Sequence, residues 1–290
     1  MPAYVRRAAA GQRILALPTP VVEPGRLRRA TRACLLGVAA VSAALAHGHM
    51  GPEDVAGART ALVFASASAY AAANWTFLTG GTENALHFPY TAPSAVPGEV
   101  SIHYGLTGPY LTLLSGANAG IEALWQAVTL LQTGQCDRAI VLGVETFQEC
   151  AALYAAGRWL LGTPLSEVAG CLILAWHPGL AEVRYRAARG ASALRELLQA
   201  EQHTRPGAVY LSTATARAGQ EAAAVIRAQW PEVPLRLLHE YYGFCLACAP
   251  LMAVTGAMSD QVPGDGLYVS HWWEDWSMLR WPGMLVSGSL

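Results

Sequence analysis

The segment Gly105–Glu145 places two apolar runs on either side of a small-residue turn and a helix-like repeat. The first run, Tyr110–Leu114, predicts a strand, and the turn Ser115–Gly120 follows it directly. From Ile121 to Leu131 apolar residues recur every three or four positions, which predicts a helix with one buried face. The second run, Asp137–Glu145, is continuously apolar, as is typical of a parallel strand covered on both faces. This βαβ unit predicts an α/β fold, with a turn at which a nucleophile could sit, backed by helix N–H groups.

Composition limits the size and the partners of the fold. A chain of 290 residues can form one large α/β domain or two fused halves. Hydrophobic residues make up 53% and charged residues only 13%, which predicts a large core, a sizeable buried interface, or both. The formal net charge of −1 gives no indication of a nucleic-acid or anionic-membrane partner.

The cysteines and the apolar segments predict a cytoplasmic protein. The six cysteines lie mainly in apolar segments and have no disulfide-framework spacing, which favours a reducing compartment. The longest apolar run, Cys34–Ala46, is shorter than the ~20 residues that a bilayer span requires. No apolar h-region with a small-residue cleavage site is evident near the first residues. We therefore expect neither export nor membrane insertion.

Short motifs that could carry other chemistry are weak. Cys245 and Cys248 have CxxC spacing, but a zinc site needs further ligands, so we interpret them as two buried thiols on one helical turn. His47 and His49 are expected in a loop. Gly80-Gly81 lacks the lysine and Ser/Thr of a phosphate-binding loop. We expect no metal and no cofactor.

Two further predictions concern elements outside the central unit. Arg26–His47 reads as a helix, whose arginines form either an acidic-partner patch or, as we favour, a solvated first turn. Ala169–Trp176 reads as a strand, with Ala181–Ala187 as an antiparallel strand beside it. A hairpin is expected from Gly266 to Trp281.

The segments HFPYTAPSAVPGEVSIHYGLTGP (His87–Pro109) and DRAIVLGVE, with the turn between them, resemble the N-terminal half of β-ketoacyl synthases. These are the condensing enzymes of fatty acid and polyketide assembly. The resemblance covers nearly the whole chain in segment order and is specific between His87 and Glu145. It implies a thiolase-type fold of two βαβ-rich halves in α/β/α/β/α layers, with a shortened second half. The corresponding regions are 1–188 and 189–290, packed as one compact unit.

The residues at the family's catalytic positions differ in this chain. The cysteine that carries the acyl group corresponds to Ala117, the two histidines to Ala214 and Phe244, and the lysine to His239. The family's Gly-Phe-Gly-Gly loop is replaced by His271–Trp276 (HWWEDW). Condensation needs a thiolate for the acyl chain and imidazoles that stabilise the enolate, and alanine and phenylalanine supply neither. We therefore expect that this chain alone does not condense acyl groups.

The resemblance also indicates which residues could line an acyl tunnel or a dimer interface. In the family, the region around Glu83–Leu106 reaches the dimer partner and the first strand of the βαβ unit pairs with its twin. The corresponding candidates are Phe88, Tyr90, Tyr110, Leu111 and Leu113. An ordinary core role is an equal alternative for the aromatic ones.

Two polar residues near the turn have alternative interpretations. Ser115 could act as a displaced nucleophile if a base reached it, but a hydroxyl that satisfies the turn is the favoured interpretation. Glu145 matches the family's Gly-Gly-x-Glu position, where a structural hydrogen-bonding role outweighs that of a general base.

The departures are most similar to the chain length factor, the non-catalytic partner of a polyketide ketosynthase. This resemblance implies a heterodimer with a catalytic β-ketoacyl synthase and, through it, contact with acyl carrier protein. The first alternative is a divergent thiolase-fold acyltransferase that uses Ser115 or a buried cysteine. The second is a homodimer that binds acyl chains or acyl carrier protein.

Overall fold

The computed structural model describes residues 14–21, 27, 30–80, 82–154, 164–259 and 264–283. The longer helices are α1 (Arg32–His47), α2 (Ala69–Thr79), α3 (Ala95–Tyr104), α4 (Ala119–Gln132), α5 (Ala193–Ala200), α6 (Ala216–Gln229), α7 (Leu238–Tyr242) and α8 (Ala249–Ser259). The strands are β1 (Ile14–Leu15), β2 (Thr60–Ala65), β3 (Tyr110–Leu113), β4 (Arg138–Glu145), β5 (Leu165–Ser166), β6 (Val168–Ala175), β7 (Arg184–Arg189), β8 (Ala208–Thr213), β9 (Leu235–Leu237), β10 (Gly266–Trp272) and β11 (Asp275–Trp281).

Two larger sheets organise the described residues. The first has the order β3-β2-β4-β6, in which β2 is parallel to β3 and β4, and β6 is antiparallel to β4. The second has the order β7-β11-β10-β8-β9, with β8 parallel to β9 and β10, and an antiparallel hairpin of β10 and β11. A small parallel pair joins β1 to β5.

Three hydrophobic layers alternate with the two sheets. One face of the first sheet packs against α1 and α3. Its other face and the inner face of the second sheet share a central core with α4 and α8. The outer face of the second sheet packs against α5 and α6. The molecule is therefore layered α/β/α/β/α, and the two helices of the central layer are buried from both sides.

The βαβ unit predicted from the sequence is confirmed as β3, α4 and β4. The register aligns Ala65 of β2 with Leu113 of β3 and Gly143 of β4, so the carboxyl ends of these three strands lie side by side. In the second sheet, Thr213 of β8 and His271 of β10 align in the same way. The turns that follow these strands therefore come together.

The predicted continuous helix from Arg26 is wrong at residues 30 and 31, which are not helical, while Arg26, Arg28 and Arg29 lie outside the described residues. The helix begins at Arg32, and Thr31 caps it, with its hydroxyl accepting a hydrogen bond from the backbone N–H of Cys34. Arg32 does not lie in a solvated turn, because its guanidinium pairs with Glu149 and Glu167. The favourable cap and this ion-pair network together account for the later start.

The strand predicted next to β6 is also misplaced. β7 pairs antiparallel with β11 in the second sheet, and it spans Arg184–Arg189 rather than Ala181–Ala187. The division of the chain at residues 188 and 189 stays a prediction. The sequence also predicts a mostly helical segment, Thr146–Trp159. Residues 155–159 lie outside the described residues, and the described part contains the 3-10 turn Gln148–Cys150.

No helix in the part of the chain that the structure describes is long and apolar enough to cross a membrane.

Candidate functional site

The turn after β3 presents a methyl group where the sequence predicts the family's nucleophile. Gly116 has φ +65°, a left-handed conformation that glycine adopts without strain. The 3-10 turn Gly116–Asn118 then leads directly into α4. Ala117 lies within this turn and is 6% exposed. The backbone follows a strand–turn–helix path suited to a nucleophile, but the side chain is inert and enclosed.

The second sheet and the segment before α8 hold the turn in place. The Ser270 hydroxyl of β10 donates to Asn118 Oδ1 at 2.7 Å, and both side chains are buried. A Cβ at Gly120 would lie 1.8 Å from the carbonyl oxygen of Ala247. Glycine at this position therefore permits the close approach between α4 and the second half of the chain.

The indole of Trp272 covers the turn. A Cβ on Gly116 would lie 2.4 Å from Trp272 Nε1, so the ring rests directly on this glycine. Trp272 also packs against the buried apolar cluster Phe147, Leu165, Phe244 and Leu246. The side chain therefore links the turn to the segment that carries Phe244.

The predicted second-half positions lie around this cluster. Phe244 is 3% exposed and stacks on the His239 ring, with a centroid distance of 5.9 Å. The same imidazole lies beside Gly219 of α6, close to the Thr213 hydroxyl at the end of β8. Ala214 follows Thr213 directly, so the structure brings these three predicted positions to one end of the second sheet.

The imidazoles of His239 and His271 are both half-buried in this region. Burial lowers the pKa of His239 and of His271, so both rings are largely neutral near pH 7. The Nδ1 atom of His239 is buried without a hydrogen-bond partner among the described residues. His271 stacks on Trp276 at a centroid distance of 4.2 Å, within the second sheet.

The six cysteines are buried or half-buried thiols, and burial is the largest cause of their pKa shifts. Cys171 is half-buried, and the other five thiols are buried. Burial raises the pKa of each thiol, to about 11 for Cys34 and about 12 for Cys245. Thiols in such apolar surroundings stay protonated and unreactive. Cys245 and Cys248 form two buried thiols on one turn, as predicted.

Ser115 has a carboxylate partner that the sequence alone did not place. Its hydroxyl donates to Glu122 Oε2 at 2.5 Å, and Ser115 is exposed. Glu122 lies in the first turn of α4, where a negative charge is favourable. The pair therefore stabilises the start of the helix and also forms a hydroxyl–carboxylate pair beside the turn.

Glu145, at the end of β4, is fully buried and bridges the two halves of the chain. It accepts hydrogen bonds from the backbone N–H groups of Ala67 (2.6 Å) and Ser68 (3.0 Å), and from the hydroxyls of Ser66 and Ser68. The N–H of Ala247 donates to it from the second half at 3.3 Å. Burial raises the pKa of Glu145 to about 7, partly offset by these hydrogen bonds. The observed contacts fit the structural role predicted for this residue.

The predicted tunnel or interface candidates separate into two groups. Phe88 and Tyr110 are 63% and 41% exposed, so they are not core aromatics. Leu111 and Leu113 are half-buried and pack against the central core. Tyr90 is half-buried and its hydroxyl donates to Glu99. A tunnel or interface role for the five stays a prediction.

Apolar side chains are exposed at the open edge of the first sheet. β3 has β2 on one side, and no strand of the described residues covers its other side. Tyr110 of β3 and Leu114, directly after this strand, are exposed apolar residues. We call this set the edge surface.

The sequence predicts where this site lies but not which side chains contact each other there. The HWWEDW segment was identified as a replacement for the family's loop, but the sequence did not indicate that Trp272 rests on Gly116. The Glu122 carboxylate falls seven residues after Ser115, on the exposed side of a helix that was predicted from its buried face. No signal in the sequence links the glycine before Ala117 to the tryptophan-rich hairpin.

Comparison with known proteins identifies the family. The model for "Beta-ketoacyl synthase, N-terminal domain" matches residues 19–167, about half of the chain. A curated relative, a PKS-NRPS hybrid synthetase from Aspergillus niger, is 43% identical over 54 residues. That match covers 19% of this chain and only 3% of the relative's length.

Solved structures share the fold. A type II polyketide synthase acyl-carrier protein in complex with its ketosynthase matches with TM-score 0.74 and 14% identity, over 93% of this chain and 89% of that one. A β-ketoacyl synthase from Burkholderia phymatum matches with TM-score 0.72 and 15% identity, over 92% and 86%. The ishigamide ketosynthase/chain length factor matches with TM-score 0.60 and 15% identity, over 78% and 73%. The predicted thiolase-type fold is confirmed.

Proposed function

The chain belongs to the β-ketoacyl synthase family, and from this membership we propose that it is a non-catalytic subunit of the chain-length-factor type. It pairs with a catalytic β-ketoacyl synthase in fatty acid or polyketide biosynthesis and shapes the acyl tunnel of the pair. Acyl carrier protein reaches the complex through the catalytic subunit. The observation that carries the proposal is Ala117, an enclosed methyl group at the turn where the family places its acyl-carrying thiol.

The surroundings of the turn support a loss of catalysis with retention of the fold. Phe244 and Trp272 fill the site with hydrocarbon, and the chain keeps both sheets and the central helices. The buried thiols offer no substitute nucleophile. A fold that is present without reacting groups at the predicted catalytic positions favours a role in binding a partner over a role in catalysis.

The edge surface supports a protein partner. An exposed apolar edge strand with unpaired backbone groups favours pairing with a strand of another chain. One edge of the second sheet differs, since the edge strand β7 carries three exposed arginines, and charged edge strands resist pairing. We therefore assign the β3 edge to the catalytic partner.

Co-expression tests this proposal. The chain would be produced with the ketosynthase encoded nearest to it, and native mass spectrometry would report the stoichiometry. The expected result is a one-to-one complex that survives purification. A chain that stays monomeric, or that pairs only with itself in the presence of the ketosynthase, would refute the heterodimer. Acyl chains retained by such a homodimer would favour the acyl-binding alternative.

The Ser115–Glu122 hydrogen bond supports a second candidate, a divergent acyltransferase. Glu122 could accept the Ser115 proton as the hydroxyl attacks an acyl thioester, forming an ester and releasing the donor thiol. Ser192 and Glu196 make a similar 2.5 Å contact at the start of α5, where it serves only the helix terminus. This second pair is a matched control.

Intact-mass measurement separates the two candidates. After exposure to an acyl thioester, the non-catalytic proposal predicts no added acyl mass. The acyltransferase predicts one acyl group per chain, lost in Ser115→Ala and kept in Ser192→Ala.

A further inference from the structure

We infer that Trp272, seated on Gly116, closes the turn to acyl thioesters, so that this subunit excludes acyl groups through shape as well as through the missing thiol. This inference deepens the proposed function and rests on it, because it concerns the site that a non-catalytic subunit no longer uses. It predicts that restoring the thiol alone does not restore acylation.

The contact between the two residues is too close to be incidental. A Cβ at Gly116 would lie 2.4 Å from Nε1, 2.9 Å from Cδ1 and 2.9 Å from Cε2 of the indole. Real side-chain contacts do not reach such distances, so the indole occupies the space that any other residue at position 116 would need. The left-handed φ of +65° also favours glycine. The glycine and the tryptophan therefore form a matched pair.

Packing holds the indole in this position. Trp272 is the last residue of β10, and it pairs with Asp275 across the hairpin. It also packs against the cluster that contains the buried Phe147 and Phe244. Because protein interiors are close-packed, moving this ring away from the turn would leave a cavity next to the cluster. Packing on the cluster therefore restrains the half-buried ring over the turn.

Its neighbour provides a natural comparison. Trp273 is 72% exposed at the tip of the hairpin and has φ +58°, so glycine suits its backbone. It contacts Trp272 edge-to-face at a centroid distance of 6.0 Å. Replacing Trp273 by glycine removes an indole from the same hairpin without uncovering Gly116.

The experiment introduces a thiol under the cover and then removes the cover. Ala117→Cys would be compared with Ala117→Cys/Trp272→Gly and with Ala117→Cys/Trp273→Gly. Each would be treated with iodoacetamide and, separately, with the octanoyl thioester of N-acetylcysteamine. In the second reaction the introduced sulfur attacks the thioester carbonyl, a new thioester forms, and the donor thiol leaves with the proton. Peptide mass mapping would give the rate of modification at position 117.

We expect slow modification in Ala117→Cys and in the Trp273→Gly combination, and an increase on the order of tenfold or more when Trp272 is glycine, because access governs thiol reactivity. Modification of Cys245 and Cys248 should stay unchanged, which would exclude general loosening. Trp272→Phe, which keeps an aromatic ring in the cluster, should give an intermediate rate.

Fast modification of Ala117→Cys with Trp272 in place would overturn the inference. So would equal rates in the two combined variants. Because labelling needs no partner, these results are independent of whether the chain forms a complex with a ketosynthase.

Discussion

At the scale of single residues, Glu145 carries a consequence for the pH dependence of stability. The carboxyl group is fully buried at the junction of the two halves, and burial raises its pKa to about 7. In the unfolded chain the same group titrates near 4.5. The folded protein therefore holds a proton that the unfolded chain has already lost.

Stability from this group is fully present below pH 4.5 and is lost as the pH rises through about 7. With about 1.4 kcal/mol per pKa unit, the loss is on the order of 3 kcal/mol. Glu145→Gln should remove this pH dependence, although its amide faces backbone donors and lowers stability overall. Urea unfolding of both proteins from pH 5 to pH 8 would measure it. An unchanged difference between the two curves across this range would contradict the assignment.

Single residues also explain how much of the site the sequence could predict. The spacing of small and apolar residues located the turn at Ala117, because glycines and a βαβ pattern are local properties of the chain. Trp272 lies more than 150 positions away, and its contact with Gly116 depends on how the two sheets pack. A one-dimensional pattern contains no information on that packing, so the covered site could not be predicted.

At the scale of elements, an ion-pair network joins α1 to the end of β4 and to β5. Glu167 is 2% exposed and accepts hydrogen bonds from Arg32 and from the backbone N–H groups of Leu17, Phe147 and Gln148. Burial alone would raise the pKa of Glu167, but these hydrogen bonds outweigh it and hold the pKa below its usual range. The charged carboxylate therefore binds three segments together, namely the residues after β1, the start of α1 and the residues after β4.

Glu167→Ala should destabilise the protein by about 3 kcal/mol or more, because it leaves Arg32 and several backbone donors without this partner. Asp137→Asn is the control, since Asp137 forms an exposed ion pair with Arg59 and should contribute little. Thermal or urea unfolding would compare the two. Equal, small effects would show that the network is not structural.

Two elements, α1 and β7, differ from their predictions for reasons that lie in their contacts with other elements. The helix expected from Arg26 begins at Arg32, because the Thr31 cap and the contacts of Arg32 determine its start. β7 was expected beside β6 because they are neighbours in sequence, yet it joins β11. Pairing between strands distant in sequence depends on tertiary packing, whereas the continuous apolar run of β4 predicts that strand directly.

The edge strand β3 supplies a prediction about the partner. Tyr110→Glu places a charge on the open edge of the first sheet, and charges on edge strands oppose pairing. The one-to-one complex with a ketosynthase should weaken on the order of tenfold or more, while the fold stays intact. Trp176→Glu is the matched control, because Trp176 is 57% exposed and follows β6, at the opposite edge of the sheet.

Affinity could be measured by titration of the two purified subunits. If both variants weakened the complex equally, the β3 edge would not be the site of pairing.

At the scale of the whole molecule, the chain retains the family fold, and we propose that it has lost the family's reaction centre. Both sheets are present and share a hydrophobic core with the central helices. The positions predicted to correspond to the family's cysteine and second histidine carry the buried side chains of Ala117 and Phe244. This combination supports the proposed subunit, whose contribution would be to position and shape a partner.

Condensation by the reconstituted pair tests this account most directly. The ketosynthase would be assayed alone and together with this chain. A third assay would combine this chain with a ketosynthase whose acyl-carrying cysteine is replaced by alanine. We predict that adding this chain changes the rate or the product length, and that replacing the ketosynthase's cysteine abolishes all condensation. Activity that persists without that cysteine, or a ketosynthase that is indifferent to this chain, would contradict the proposed non-catalytic partnership.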